Sequence, residues 1–477
     1  MRKTYFFILA CPLVVALAAG CGSSNHGTTG AQNEVPVVVT IHDAPPQGVT
    51  VLSFAVQVTS IKLEGSGQSN VNLLSNPVTV QLQNLQTAND ILAQSSAAAG
   101  TYSDVVITFG SVNATVQNES GAAITVGNST CASASVCQIS PSISQMSTTI
   151  SSSPFPLTLT AGTPVNLSLD FDINSSLGTD LSVTPAVTVT ASTTPLSDSN
   201  LADVGGVTGT VTAAGSNQFT VMDSATGNSL TLTTGTGTTF GGFSSCAASP
   251  EDSTCVQKNQ IVNVNFGAGD SNPTVLTASI VNLETGFTQG IEGTVLAVDP
   301  TTQTFAVVVT GTSGNVSGVT VGQEIIVTAG TGATFGVESN GATIPSGLNF
   351  TGTSNLLVGQ NVQLDASSIS GSNVTADQVM LAPTQFTGTS GTVTGSNVTI
   401  NGLNGLFTNS GTTSITAETG SNTTFAGVTG VTGLTTGNQV SVSGLLFATP
   451  TAPIVVTNAF DDDTVLAGTT PAAVTGQ

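Results

Sequence analysis

Asp170, Asp172 and Asn174 are the one group of oxygen-bearing side chains in this 477-residue sequence whose spacing suits a metal. On a strand, alternate residues face one side, so the three would project together while Phe171 and Ile173 turn inward. Hard cations such as calcium want several carboxylate and carbonyl oxygens. Two carboxylates and an amide make half of such a site, and no Gly-and-Glu pattern completes a calcium loop. The simpler reading is a solvated face over an apolar one. Acid–base chemistry has fewer candidates still, because an enzyme needs a positioned acid, base or nucleophile. The two histidines are His26, in a polar N-terminal stretch, and His42, beside Asp43 where a first strand should end. Serines abound, yet there is no Gly-x-Ser-x-Gly elbow, and no Walker-type loop, His-Glu-x-x-His or Cys-x-x-Cys. A hydrolase built on His42 is a remote reading; the residues describe a protein that is not an enzyme and needs no cofactor.

The six cysteines divide by position. Cys131 with Cys137 and Cys246 with Cys255 form two local pairs. Outside the cytoplasm close pairs oxidise, and each disulfide would staple one loop. Zinc is the weaker alternative, since neither pair has Cys-x-x-Cys spacing or a nearby histidine. Cys11 and Cys21 belong to the N-terminus, where Arg2 and Lys3 precede an apolar run from Tyr5 to Leu17 and then Ala18-Ala19-Gly20-Cys21. That is the layout of a secretory signal peptide, too short to span a bilayer permanently. Its final cysteine resembles a bacterial lipobox, the motif at which diacylglycerol is attached to the thiol before cleavage. Ordinary cleavage, leaving Cys21 as a free thiol, is the alternative. The resemblance implies a lipid anchor in the cell envelope. Gly22 in place of Asp implies sorting to the outer membrane.

Composition narrows the partners. The chain has 26 acidic and 4 basic residues, a formal charge of -22. Arg2 and Lys3 leave with the signal, so Lys62 and Lys258 are the only cations of the mature chain. Phosphate recognition needs arginine and lysine contacts, which excludes nucleic acid and disfavours anionic lipid headgroups. Sugar stacking usually relies on Trp or Tyr. There is no Trp, and Tyr102 is the one Tyr beyond the leader. A sugar site would therefore be built from hydrogen-bonding Asn, Asp and Thr.

The elements that must position these groups are strands. Hydrophobic content of 39% and a mean hydropathy of +0.31 argue against disorder. Val, Ile and Thr alternate with period two between Gly and Asn turns, the pattern of strands and tight turns. The best helical candidate is Ala88 to Ala99, where Ile91 and Leu92 could share a face. The chain should be nearly all β. Residues 1–20 are expected as signal, 21–33 as lipidated tether, 34–192 as a first domain and 193–203 as a linker.

Beyond the linker a unit repeats three times, and such repeats decide the fold. Gly209-Thr210-Val211, Gly293-Thr294-Val295 and Gly391-Thr392-Val393 open the copies. A Gly-led turn into Thr-Phe follows, Gly235 to Phe240, Gly330 to Phe335 and Gly420 to Phe425. A Gln- or Asn-bearing turn then precedes a strand: Asn259-Gln260, Gln360-Asn361, Asn438-Gln439. Irregular periods suit three independent small β-domains in tandem, at 204–285, 288–383 and 386–461. Residues 462–477 are expected as a frayed tail, with Asp461 to Asp463 a solvated charge run.

Two resemblances follow from these residues. Val39-Thr40-Ile41-His42-Asp43-Ala44-Pro45, Val80-Gln81-Leu82-Gln83-Asn84-Leu85, Ala99-Gly100-Thr101-Tyr102 and Leu169-Asp170-Phe171-Asp172-Ile173 make residues 35–192 resemble domain of unknown function 4382. That resemblance implies a β-sandwich, immunoglobulin- or transthyretin-like. The three repeats resemble domain of unknown function 5666, which implies small barrels of the oligonucleotide/oligosaccharide-binding (OB) type. The expected whole is an exported, lipid-anchored envelope protein with a binding or scaffolding role. Its partners would be the membrane, through the lipid, and envelope proteins or polysaccharide. An adhesin-like module binding calcium or polysaccharide is the alternative.

Overall fold

The structure, a computed structural model, describes residues 34–464 apart from short breaks, the longest at 45–49, 86–89, 194–206 and 284–288. The leader with Cys21, the tether and residues 465–477 lie outside the described residues.

Among the described residues thirteen strands build the first domain. They are β1 (Glu34–Ala44), β2 (Thr50–Gly65), β3 (Val71–Asn72), β4 (Val78–Gln81), β5 (Asp90–Ala98), β6 (Gly100–Gln117) and β7 (Ile124–Val126). Then come β8 (Ser129–Cys131), β9 (Val136–Ile139), β10 (Ser147–Ile150), β11 (Leu157–Leu159), β12 (Val165–Asp172) and β13 (Val187–Ser192). One sheet has the order β13-β12-β1-β5, with β1 and β12 parallel. The other centres on the long β2–β6 pair, with β3, β4, β9, β10 and β11 along its flanks. The core between them is a sandwich of inward residues in which Phe171 meets Phe109 edge-on at 5.7 Å and Phe54 at 6.3 Å. Tyr102 is fully buried there, and its hydroxyl donates to the Ala98 carbonyl at 2.9 Å. That bond ties β6 to the end of β5 across Gly100, whose φ of 152° suits glycine.

The expected helix at Ala88 to Ala99 is instead β5. Ile91 and Leu92 are neighbours with opposite duties: Leu92 enters the sandwich core and Ile91 enters the core of the next domain. Both faces of this strand are covered, so two adjacent apolar residues are buried without helical periodicity. The same holds in β1, where Val37 and Val39 face the sandwich and Val38 faces away from it.

Three barrels follow. The first uses β14 (Val207–Ala214), β15 (Gln218–Asp223), β16 (Ser229–Thr233), β17 (Thr239–Gly241), β18 (Ile261–Gly269) and β19 (Asn272–Leu283). The second uses β20 (Gln289–Asp299), β21 (Thr304–Gly314), β22 (Glu324–Val337), β23 (Asn361–Ser370) and β24 (Asn373–Ala382). The third uses β25 (Thr384–Thr394), β26 (Asn397–Asn401), β27 (Ile415–Glu418), β28 (Thr424–Ala426), β29 (Gln439–Phe447) and β30 (Ile454–Asp462). In each, the first strand pairs with the second and with the next-to-last, and the third closes the barrel by running parallel to the last. This five-stranded closure is that of small OB-like barrels.

The repeat landmarks have a mechanical basis. Gln260 and Gln360 each close a tight turn, their Oε1 accepting from the backbone N–H of Gln257 and Leu357 at 2.6 Å. In the Gly-to-Phe segment, the Gly235 and Gly420 N–H groups donate to Thr238 and Thr423, whose hydroxyls donate onward to the Ala278 and Thr457 carbonyls. The Phe then lands on the parallel last strand, Phe240 opposite Val281 and Phe425 opposite Phe460. In the second copy Ala333 replaces the threonine, and β22 runs unbroken through the position.

The third copy opens three residues earlier than its Gly-Thr-Val suggests. The Val211 and Val295 N–H groups donate to the Gln260 and Gln360 carbonyls, and the matching bond is from Ser390 to Asn438. Gly388, not Gly391, therefore corresponds to Gly209 and Gly293. All three pair with a valine of the next-to-last strand. A Cβ at any of them would collide with the neighbouring second strand. The cause is crowding at the barrel wall, and glycine answers it by having no side chain.

The barrels are not independent. Leu445, Phe447 and Val456 of the third share the core of the second. Val38 and Ile91 of the sandwich share the core of the first. Leu52 of β2, Val308 of β21 and Leu406 of α2 (Gly405–Asn409) make a further cluster joining three domains. Polar bonds accompany them: Thr115 donates to the Gly322 carbonyl at 2.5 Å, and Gln360 Nε2 to that of Leu446 at 2.7 Å.

Candidate functional site

The continuous strand expected to carry Asp170, Asp172 and Asn174 on one face is broken after Asp172. Strand β12 ends at Asp172, and the single turn α1 (Ile173–Ser176) starts at once. The alternation that would bring Asn174 beside the two aspartates stops there. Asp172 serves as the N-cap, its Oδ1 accepting from the Ser175 N–H at 2.9 Å and its Oδ2 from the Ser175 hydroxyl. A capping carboxylate is already engaged by the backbone donors it was placed to satisfy. Among the described residues, no group of three or more His, Cys, Asp or Glu side chains is arranged to hold a metal. His42 stands opposite Asp170 in the parallel β1–β12 register, and Asp43 opposite Phe171.

Both local cysteine pairs are disulfides, Cys131–Cys137 and Cys246–Cys255. The first links β8 to β9 at the edge of the sandwich. The second clamps the loop between β17 and β18 and buries Cys255 in the first barrel's core. The thiols are consumed, so the zinc alternative falls for both pairs.

A cleft of about 120 Å³ with a mixed polar and apolar lining opens between the second and third barrels. One wall is the segment at Ala342, Thr343 and Pro345, part of the long connection from β22 to β23. The other is the turn from Glu418 to Thr423, with Val456 to Asn458 of β30 at its side. Local bonds fix that turn: Thr419 donates to the Ser396 carbonyl at 2.7 Å, and Thr423 to that of Thr457. Thr343, Ser421 and Asn422 are exposed. Hydroxyls and amides share the lining about equally with apolar surface, and Glu418 is its single charge. Such a lining suits a neutral, hydroxyl-rich ligand. It offers no paired acid and base.

The third barrel ends on a folded acidic segment, not a frayed one. Asp462 belongs to β30, is fully buried and accepts from Asn438 Nδ2 at 2.8 Å. Asp463 accepts from the Ser441 hydroxyl at 2.8 Å. Burial, with Asp463 nearby, lifts the Asp461 carboxyl to about 7. Burial lifts Asp463 to about 6 against the lowering effect of the Ser441 bond. The two titrate in the physiological range, which nothing in a run of three aspartates announces. A further buried carboxylate, Asp90 at the start of β5, is raised well above the ordinary range by burial and then by Asp223 of the first barrel.

The comparisons with known proteins bear on the first domain. Residues 34–184 match the family model described as Domain of unknown function (DUF4382). No curated protein matches the chain. Among solved structures, drosophila Unr CSD456 is similar at 10% identity over 53% of this chain and 94% of that one, with a TM-score of 0.13. Among the described residues no helix is long and apolar enough to cross a membrane.

Proposed function

We propose that this is an exported, lipid-anchored cell-envelope protein, of the outer membrane, whose role is binding or scaffolding and not catalysis. The observation that carries the reading is the set of buried seams. Side chains of one domain complete the core of the next at Val38 and Ile91, at Leu52 and Leu406, and at Leu445 and Phe447. A scaffold must hold its parts in fixed relation, and shared cores do so where a flexible tandem array would not. The N-terminal features give the anchor: Arg2, Lys3, the apolar run and Cys21 of the lipobox-like segment. Two or more acyl chains make attachment stable. The proposal includes assignment of the three barrels to domain of unknown function 5666, on their Gly-Thr openings, Thr-Phe turns and Gln- or Asn-bearing turns.

Membrane fractionation of the Cys21→Ala variant tests the anchor. The variant should appear in the soluble fraction while the wild type sediments with membranes; equal sedimentation sinks the proposal.

The cleft between the second and third barrels favours a second reading, an envelope-polysaccharide binder. Thermal unfolding with a panel of envelope polysaccharides tests it. A saturable upward shift is expected, about 2.7 kcal/mol at a hundredfold excess over the dissociation constant. Thr343→Tyr should abolish the shift by filling the cleft from an exposed position. A shift that survives this variant places the ligand elsewhere.

A further inference from the structure

Where the sandwich meets the second and third barrels, a second cavity of about 30 Å³ lies among Thr50, Gln83, Thr294, Asn361, Asn404 and Phe407. That volume holds one water or one ion. Some of its polar groups are already engaged. Thr294 donates to Asn361 Oδ1 at 2.8 Å, and Asn361 Nδ2 donates to the Pro383 carbonyl at 3.1 Å. Two are not: Gln83 Oε1 and Asn404 Oδ1 are buried with no hydrogen-bond partner in the protein. They come from different domains, the sandwich and the third barrel, and they line the same small space.

A carboxylate adjoins them. Glu119 accepts from the Thr50 hydroxyl. Its Oε1 comes so near Gly405, the residue after Asn404, that a Cβ there would overlap it. Glycine at 405 is what lets a sandwich carboxylate reach the third barrel. The chain has 4 cationic side chains for 26 carboxylates, and Lys62 is paired with Glu64 at 3.0 Å. A water could bridge the two amide oxygens, and Glu119, exposed beside the cavity, is open to solvent. A cation would draw the amide oxygens and the carboxylate onto one centre.

We infer that this three-way junction is a hard-cation site, with calcium the ion its donors fit. The ligands are the Glu119 carboxylate, the amide oxygens of Gln83 and Asn404 and the Thr50 hydroxyl, with water completing the shell. Calcium accepts a mixed, irregular set of carboxylate, amide and water oxygens, whereas magnesium demands near-ideal octahedral geometry. Donors delivered by separate domains meet the first requirement more readily than the second. With a single carboxylate the affinity belongs in the weak range of extracellular modules, a dissociation constant of about 10⁻⁴–10⁻³ M. The bound ion would lock the sandwich to the third barrel. This inference rests on the junction alone and is independent of lipid anchoring.

Equilibrium dialysis with radioactive calcium on the full chain, purified in detergent and stripped with EDTA, tests it. Thermal unfolding at matched ionic strength in sodium chloride is the companion measurement, because an acidic chain is stabilised by any salt. One calcium per chain and a saturable rise in Tm beyond the sodium control are expected. Glu119→Gln, at an exposed position, should lose both while keeping the Tm of the stripped protein. Asn404→Leu should weaken binding at least tenfold. Asp172→Asn should leave binding unchanged, separating this site from the aspartates of β12. No bound calcium in the millimolar range, or binding retained in Glu119→Gln, overturns the inference; the amide oxygens are then merely hydrated.

Discussion

Gln360 of the second barrel donates its side-chain amide to the Leu446 carbonyl of the third, at 2.7 Å, and Gln360 is fully buried. The same side chain closes the turn before β23 by accepting from the Leu357 N–H. One residue thus fixes a local turn and an interface between domains.

Gln360→Ala should therefore cost more than an ordinary surface truncation. It leaves the buried Leu446 carbonyl and the half-buried Leu357 N–H without this partner, and an unsatisfied buried group costs about 1–3 kcal/mol. Gln260→Ala, which removes the equivalent turn bond of the first barrel, is the control, since Gln260 is partly exposed and its bonds stay within its own repeat. Chemical denaturation should place the Gln360 variant clearly below the Gln260 variant. Equal losses would mean that the inter-barrel bond contributes nothing.

Phe447 gives a second test of the shared cores. It lies in β29 of the third barrel but packs in the second barrel's core. Phe447→Ala should destabilise by about 3–5 kcal/mol, the usual range for a buried Phe. The loss should appear in one transition that reports on both barrels together. Calorimetry that resolves two transitions, only one of them shifted, would show that the barrels unfold separately.

Much of this architecture was legible from local chemistry. Period-two Val and Thr gave the strands, and the Thr-Phe and Gln- or Asn-bearing turns gave the triplication, because in two copies of each landmark a side chain closes its own turn. What escaped was decided by residues far away in sequence. Ile91-Leu92 imitated a helix face because a barrel covers the outer side of β5. Gly391-Thr392-Val393 imitated the opening of a repeat, whereas the functional glycine is Gly388, identified only by its partner Val440. The Asp170, Asp172 and Asn174 spacing assumed a strand that ends at Asp172. The buried acids were invisible for the same reason: three aspartates near a terminus look solvated until β29 and β28 flank them.

Asp90 predicts a pH dependence of the seam between the sandwich and the first barrel. Burial, and then Asp223, raise its carboxyl in the folded chain. A folded-state pKa above the unfolded one means that the native chain holds the proton more tightly. Stability then falls as pH rises above the ordinary carboxylate range. Asp90→Asn keeps the shape and removes the charge. It should raise Tm at pH 8 and change it little at pH 4. A variant less stable than wild type at pH 8 would mean that the ionised carboxylate is itself stabilising.

Asp461 makes the same argument with a defined window. Its carboxyl sits at about 7 in the folded chain, against an ordinary value of 3.8, through burial and the neighbouring Asp463. Below pH 3.8 both folded and unfolded chains carry the proton, and the full native stability is present. Between about pH 4 and pH 7 the unfolded chain releases it first, so stability declines through that interval and levels off above it. A shift of about 3 units corresponds to at most about 4 kcal/mol, and partial solvent access at this position brings it lower. Asp461→Asn should flatten the decline and raise Tm at pH 8. Asp463→Asn should do less, because it also weakens the hydrogen bond from Ser441. Measuring Tm from pH 4 to pH 8 for wild type and both variants decides the matter. If the wild-type curve rises through this interval, or if Asp461→Asn leaves its slope unchanged, the buried acidic end of the third barrel does not control stability.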